Sequence, residues 1–321
     1  MTMIRLDELE AAAQLVYGVA QPTAQIRWPL LCELTGVELW VKHENHTCLG
    51  AFKLRGGIVY MQELRQREPS VTAVIAATRG NHGQSVAFAA QRAGLHAVIV
   101  VPHGNSSEKN AAMRALGAEL IVHGSDFQEA LEHAMGLAQS RRLHLVPPFD
   151  AALVRGVASY ALELFRAVPA LDAVYVPIGM GTGVCGVIAA RDALGLATEV
   201  IGVVAAGAPA YANSFSAGRP VPCDKAQTIA DGMACRVPDP RALAIMLAGA
   251  ARIVTVDEPQ LRAAMRDLFT ATHNVAEGAG AAALAALTKE RGRMRGKRVA
   301  IIQSGGNVDR EVFAQVLASS D

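Results

Sequence analysis

The sequence predicts an α/β protein built from two open, mostly parallel twisted sheets flanked by helices, with a ligand cleft between two lobes. Three observations carry this. Strand-length apolar runs alternate with Ala-rich helical stretches along most of the 321 residues, the pattern of parallel strands covered on both faces. That length exceeds what one hydrophobic core commonly fills, so two lobes are the expectation. Several strands run directly into Gly-containing turns, and open α/β sheets hold their ligands outside the carboxyl ends of their strands.

In chain order, Val37–His43 and Ala73–Ala77 read as strands, Ser85–Ala93 as a helix and His96–Val101 as a strand. Glu108–Leu116 reads as a helix stopped at Gly117, and Glu119–His123 as a further strand. The alternation resumes with Ala173–Ile178 (strand), Gly186–Ala193 (helix) and Glu199–Val204 (strand). Between the two series, Pro147-Pro148 cannot continue a helix and marks a crossing between lobes. A lobe boundary is placed near it, with residues 1–52 and 149–321 expected to form a large domain and 53–148 a small one. The Ala-dense run Ala279–Leu287 reads as a buried helix, and Arg298–Gln303 as the final strand. The short stretch after it leaves no appended regulatory domain to expect.

Composition narrows the function. Hydrophobic residues make up 51% and charged residues 18%, which excludes a disordered chain. Lys+Arg (30) and Asp+Glu (29) nearly cancel and no basic block occurs, so no nucleic-acid partner is expected. The longest apolar stretches, Leu95–Pro102 and Val174–Gly179, fall far short of the roughly 18 residues that span a bilayer, so no membrane partner is expected either. Met1–Glu10 carries Asp7, Glu8 and Glu10 and does not read as a signal peptide, which points to the cytoplasm. Five cysteines without a CxxC pair read as free thiols, not a disulfide framework or a zinc site.

Four segments could carry chemistry. Lys53 follows Phe52 in a segment that begins just after a strand, His43 to Gly57; alone it reads as an ordinary snorkelling lysine. Gly179-Met180-Gly181-Thr182-Gly183 links a strand to a helix, a turn that exposes backbone N–H groups where the helix dipole favours a phosphate. Its continuation to Gly186 also fits GxGxxG, but Val203-Val204 stands where a ribose-binding carboxylate would be wanted, so a dinucleotide is disfavoured. Thr78-Arg79-Gly80-Asn81-His82 opens a helix and suits a carboxylate, or simply caps the helix. Ser304-Gly305-Gly306-Asn307 follows the last strand and brings a small hydroxyl close to whatever lies there.

These segments, in this order, together with Gln227–Gly232 (QTIADG), Glu277–Gly280 (EGAG) and Arg155-Gly156, resemble the pyridoxal-phosphate enzymes of the tryptophan-synthase-β fold, and among them the threonine/serine dehydratase and serine racemase group. The resemblance spans nearly the whole chain and implies pyridoxal 5′-phosphate as cofactor, a small amino-acid substrate and a homodimer or higher homo-oligomer. It makes Lys53 the Schiff-base lysine, with Phe52 beside the ring, Asn81 at the 3′-hydroxyl, Gly179, Met180, Gly181, Thr182 and Gly183 around the phosphate, and Ser304 facing the pyridine nitrogen. Glu277 approaches the cofactor, Thr78, Arg79, Gly80, Asn81 and His82 grip the substrate carboxylate, and Asp231 and Arg155 are structural. A lysine that must lose its proton needs an apolar surround, to which Phe52 and Leu54 would contribute. A hydroxyl at Ser304 limits the ring as an electron sink, which suits elimination. The implied reaction removes the α-proton through Lys53, expels the β-hydroxyl and yields a 2-oxo acid and ammonia.

The chain departs from the group's pattern in three places. Met180 and Thr182 replace glycines, leaving Met180 to donate through its backbone and Thr182 to add a hydroxyl. Arg79 replaces the serine that serves racemases as acid/base, and a guanidinium is a poor proton shuttle; elimination without racemisation follows. If Arg79 points inward, its fork could pair with a second carboxylate, making 3-hydroxyaspartate a substrate. Val204 and Ala210 occupy the positions of the metal-binding carboxylates of metal-activated members, so no metal is expected. Phenylserine dehydratase, an amino-acid racemase, a β-replacing synthase of cysteine-synthase type and a non-catalytic cofactor-binding regulator are the alternatives; His82 disfavours the synthase, and Lys53, Asn81 and Ser304 disfavour the regulator.

Overall fold

The computed structural model describes residues 4–319; Met1–Met3 of the N-terminal segment and the last two residues of the expected large domain lie outside the described residues. Ten strands form two sheets: β1 (Gln25–Arg27), β2 (Glu38–His43), β3 (Ala73–Ala77), β4 (His96–Val101), β5 (Glu119–Val122), β6 (His144–Leu145), β7 (Ala173–Pro177), β8 (Glu199–Ala205), β9 (Arg252–Val256) and β10 (Arg298–Gln303). The six-stranded sheet has the order β1-β2-β10-β7-β8-β9 and the four-stranded sheet β5-β4-β3-β6. Only β1 runs antiparallel, against β2. β2 thus joins the late strands, in register with β10 from Glu38↔Arg298 to His43↔Gln303. The buried strands read as unbroken apolar runs because helices cover both faces.

The helix Ala151–Ala167 is buried along most of its length and packs on both Lys53–Arg67 and Thr182–Ala193. Gly156 makes the first crossing possible, because a Cβ there would meet the backbone of Arg55 and Gly56. Under this crossing lies a buried ion network. Arg55 donates to Glu44 (2.7 Å) and Glu163 (2.6 Å), and Lys42 donates to the same Glu163 (2.6 Å). Two cations and two carboxylates leave no uncompensated charge, the condition for burying them. The network ties β2, the turn after it and two helices together beneath Lys53.

Two helices start earlier than their sequences suggest. The helix read from Gly186 begins at Thr182, because Gly181 (φ +98°) supplies the left-handed entry. The helix read from Ser85 begins at Asn81, because the Thr78 hydroxyl accepts from the N–H groups of Gly80 (2.8 Å) and Gly83 (3.1 Å) and caps the first turn. The Ala-dense run lies in the helix Gly278–Lys289, buried from Gly278 to Leu287. No helix among the described residues is long and apolar enough to cross a membrane.

Candidate active site

The carboxyl ends of β3, β7 and β10 open onto one cleft. Every residue that the sequence assigns to the site lines it: Phe52, Lys53, the turn Thr78 to His82, the turn Gly179 to Gly183, Glu277 and Ser304. So do Lys109, Phe127 and Asp231, which sequence reasoning left out or treated as structural. Leu54, expected to shelter the Lys53 amine, is instead fully buried and does not line the cleft. Successive side chains of a helix diverge by about 100°, so the first turn sends Lys53 and Leu54 to different faces. Arg155 also stays outside, paired with Glu63 at 2.7 Å.

Lys53 opens its helix at the cleft wall. Its Nζ lies 4.9 Å from the centre of the Phe52 ring and donates to the Thr182 hydroxyl at 2.9 Å. Burial pushes its pKa down to about 8, and no carboxylate offsets that. Its carbonyl accepts from the Ser85 hydroxyl (2.5 Å), while the Phe52 N–H donates to the Ser304 carbonyl (3.1 Å), so the lysine is pinned from both lobes.

Across from it, the glycine turn is closed to side chains at Gly179, where a Cβ would run into the Gly232 carbonyl oxygen, and at Gly181. A Cβ on Gly181 would meet Met246 Cε at 2.7 Å and Ala242 Cβ at 2.9 Å, and its positive φ disfavours any L-residue as well. The Cys185 N–H is the one that closes on the Gly181 carbonyl (3.0 Å). The N–H groups before it at the helix start have no intrahelical acceptor, the usual arrangement for holding phosphate. Met180 keeps its place by accepting from the Tyr211 hydroxyl at 3.1 Å through its carbonyl.

The Thr78–His82 turn is held on three sides. Gly80 (φ +148°) lets the aliphatic stem of Lys109 pass where a Cβ would sit. Asn81 donates to Glu277 (2.6 Å) and accepts from Asn307 (2.9 Å). Burial, and then the nearby Lys53, push His82 down to about 3, so its ring is neutral at working pH. The Nε2 of His82 and the Nε of Arg79 are buried without a hydrogen-bond partner among the described residues.

Lys109 closes the far corner. Its Nζ donates to both oxygens of Asp231 (3.0 and 2.9 Å) and to Glu277 (2.8 Å). Burial opposes the ammonium, but the two carboxylates outweigh it and raise its pKa. Burial pushes the Glu277 carboxyl upward against the pull of Lys109. Nothing in the sequence singles out Lys109: it sits on the helix Ser107–Ala115 among residues that read as a solvated face.

This donor set fits a phosphorylated aldehyde cofactor. It combines a lysine whose amine is neutral in an accessible pH range, an aromatic ring beside it, a turn closed to side chains at Gly179 and Gly181 ahead of a helix N-terminus, and a hydroxyl at Ser304. No group of three or more His, Cys, Asp or Glu among the described residues could hold a metal ion. Val204 is buried in β8, and Ala210 is the first residue of the helix Ala210–Ala217.

Comparison with known proteins agrees with this chemistry. Residues 16–305 match the family model described as "Pyridoxal-phosphate dependent enzyme". The chain is 33% identical to an L-threonine ammonia-lyase of Thermotoga maritima over 98% of its own length and 78% of that protein's. It is 36% identical to the biosynthetic L-threonine dehydratase of Escherichia coli over 92% of its length, but spans only 58% of that relative. The solved structure of the processed form of threonine deaminase isoform 2 from Solanum lycopersicum superposes with a TM-score of 0.89 at 31% identity, covering 99% of this chain and 95% of that one.

Proposed function

The chain belongs to the pyridoxal-phosphate dependent enzyme family, and we propose that it is an ammonia-lyase that converts a β-hydroxy amino acid of the threonine/serine type to a 2-oxo acid and ammonia. The observation that carries this reading is the Lys53 amine, lowered to about 8 by burial alone and facing a turn suited to a carboxylate across one cleft. The relatives named for threonine support the substrate class.

Bound pyridoxal phosphate supplies the electron-withdrawing system that acidifies the substrate's α-carbon. The residues of this chain do the rest. Lys53 would hold the cofactor and move the α-proton at its Nζ; Phe52 would lie beside the ring, and the N–H groups of Gly179–Gly183 with the Thr182 hydroxyl would take the phosphate. Asn81, held by Glu277 and Asn307, is placed for the 3′-hydroxyl, and Ser304 for the pyridine nitrogen. Thr78, Arg79, Gly80, Asn81 and His82 receive the substrate carboxylate. The Arg79 guanidinium is a poor proton shuttle and His82 stays neutral, so neither side chain of this turn is suited to return a proton to the opposite face of the α-carbon, and racemisation is not expected.

A panel of L-threonine, L-serine, phenylserine and 3-hydroxyaspartate, assayed for ammonia and 2-oxo acid, tests the reading. Equimolar release from at least one of them is expected; release from none rejects it. Formation of D-serine from L-serine as fast as oxo acid would reject the assignment of Arg79. The same reading divides the chain into 1–52 with 149–321 as the cofactor domain and 53–148 as the substrate-loop domain, supported by the span of the four-stranded sheet, β3 to β6. It also places the enzyme in the cytoplasm as a homodimer or higher homo-oligomer, which light scattering of the purified protein would check.

A further inference from the structure

The last helix, Arg310–Ala318, starts against the helix Ser107–Ala115, and the two exchange caps. Asp309 stands at the N-cap of its own helix and makes no side-chain hydrogen bond to it, although capping is the ordinary use of an aspartate there. Both of its oxygens reach across instead: one accepts from the Ser106 hydroxyl and the other from the Ser107 N–H (3.2 Å). Glu108 accepts in return from the Arg310 N–H (2.9 Å). Ser106 also accepts from the Lys109 N–H (3.1 Å), so two hydrogen bonds lead from Asp309 to Lys109.

From Lys109 the path closes on itself. Lys109 Nζ donates to Glu277 (2.8 Å), Asn81 donates to Glu277 (2.6 Å), and Asn81 accepts from Asn307 (2.9 Å), two residues before Asp309. Asn81 follows β3 and Ser106 and Lys109 follow β4, all on the side of the four-stranded sheet; Glu277 precedes β10 and Asn307 and Asp309 follow it, on the side of the six-stranded sheet. The ring therefore ties the two sheets' loops together at every side-chain contact. A further contact between the two sides, Arg236 with Asp126, lies outside it. The loop after β10 thus holds Asn81 from two directions, directly through Asn307 and indirectly through Asp309, Ser106, Lys109 and Glu277.

We infer that Asp309 is a positioning residue for the reaction: through Ser106 it seats Lys109, and through Lys109 and Glu277 it fixes the Asn81 turn. The inference rests on the dehydratase reading for the role of that turn. It explains why an aspartate at a helix start leaves its own helix uncapped.

The test is hydrogen exchange of the holoenzyme, followed by mass spectrometry, in the parent, Asp309→Ala and Glu108→Ala. Asp309→Ala should speed exchange in residues 78–84, whose N–H groups at Gly80 and Gly83 are protected by Thr78, by about tenfold or more. Glu108→Ala removes the other contact between the helices and leaves the ring intact, so its effect should stay within 310–318. Asp309→Ala should also lower kcat/KM for the best substrate by about tenfold to a hundredfold, the cost of misplacing a site from a distance, and Asp309→Asn, which keeps one acceptor for Ser106, should restore part of it. If Asp309→Ala does not fold, Ser106→Ala cuts the same path at its middle and should speed the same segment. Exchange in 78–84 unchanged in Asp309→Ala, or raised equally by Glu108→Ala, overturns the inference and leaves Asp309 a staple between two helices. Faster exchange in 78–84 confined to the Asp309 and Ser106 variants supports it even if no substrate is turned over, in which case the dehydratase reading alone fails.

Discussion

Lys53 and Lys109 face the same cleft from opposite ends and have opposite electrostatic fates. Lys53 has an aromatic ring and one hydroxyl beside its amine, and burial drives its pKa down to about 8. Lys109 is buried as well, yet Asp231 and Glu277 within 3.0 Å raise its pKa. Desolvation penalises both ammonium groups; the carboxylates decide which one stays charged. The first lysine is thereby suited to act as a base and nucleophile, and the second is a fixed cation. By holding Glu277, which holds Asn81, Lys109 also fixes the turn proposed to receive the substrate.

The contrast can be broken in four ways, the largest first. Lys53→Ala should lower 2-oxo acid release by about 10²–10⁴-fold, the range that one acid/base group contributes, with the fold intact; retention of activity would remove Lys53 from the chemistry. Lys109→Met should instead cost stability, because the buried Glu277 and the partly buried Asp231 lose their cation. A loss of about 3–5 kcal/mol in urea unfolding is expected, against little or none for Lys53→Met, which leaves no unpaired ion. Equal stabilities of the two variants would erase the distinction.

The third test is pH. The folded pKa of Lys53 lies near 8 and its ordinary value is 10.5, so between those limits the unfolded chain binds a proton that the native cofactor-free protein does not. Stability therefore rises with pH across that window, and Lys53→Met should flatten the rise. Lys109, raised above 10.5, contributes stability that is fully present below its unfolded pKa, so it adds no slope there. Unfolding free energies from pH 7 to 10.5 separate the two lysines. The smallest effect belongs to Thr182→Val, which removes the hydroxyl next to Lys53 Nζ. Equilibrium dialysis should show cofactor affinity weakened by about 0.5–1.5 kcal/mol, one hydrogen bond's worth; an unchanged affinity would show that the hydroxyl makes no contact with the phosphate.

Local sequence was most legible where a short apolar run ends in a turn. Ala73–Ala77, His96–Val101 and Arg298–Gln303 are strands with the boundaries their sequences suggest, because strands buried on both faces need no partner to be recognised. The helices Lys53–Arg67 and Ala151–Ala167 do not emerge from the sequence, because their glycines answer to tertiary contacts: Gly56 and Gly156 lie where the two helices cross, and Gly57 lies against Ser85. At the site, Lys53, Asn81, Glu277 and Ser304 could be singled out because each sits in a motif at a strand or helix end. Lys109 and Arg236 sit in no such motif.

The sequence by itself determined the chemical parts: one lysine after a phenylalanine, a glycine turn ahead of a helix, a turn suited to a carboxylate and a hydroxyl after the last strand. Tertiary structure decided their charge and company. Lys109 meets Asp231 across 122 positions and Glu277 across 168, and Arg79 comes to line a pocket with Asp126 and Arg236. Desolvation and Coulomb energy depend on burial and on distances of a few ångströms, and chain order does not encode either until the two sheets bring their strand ends together.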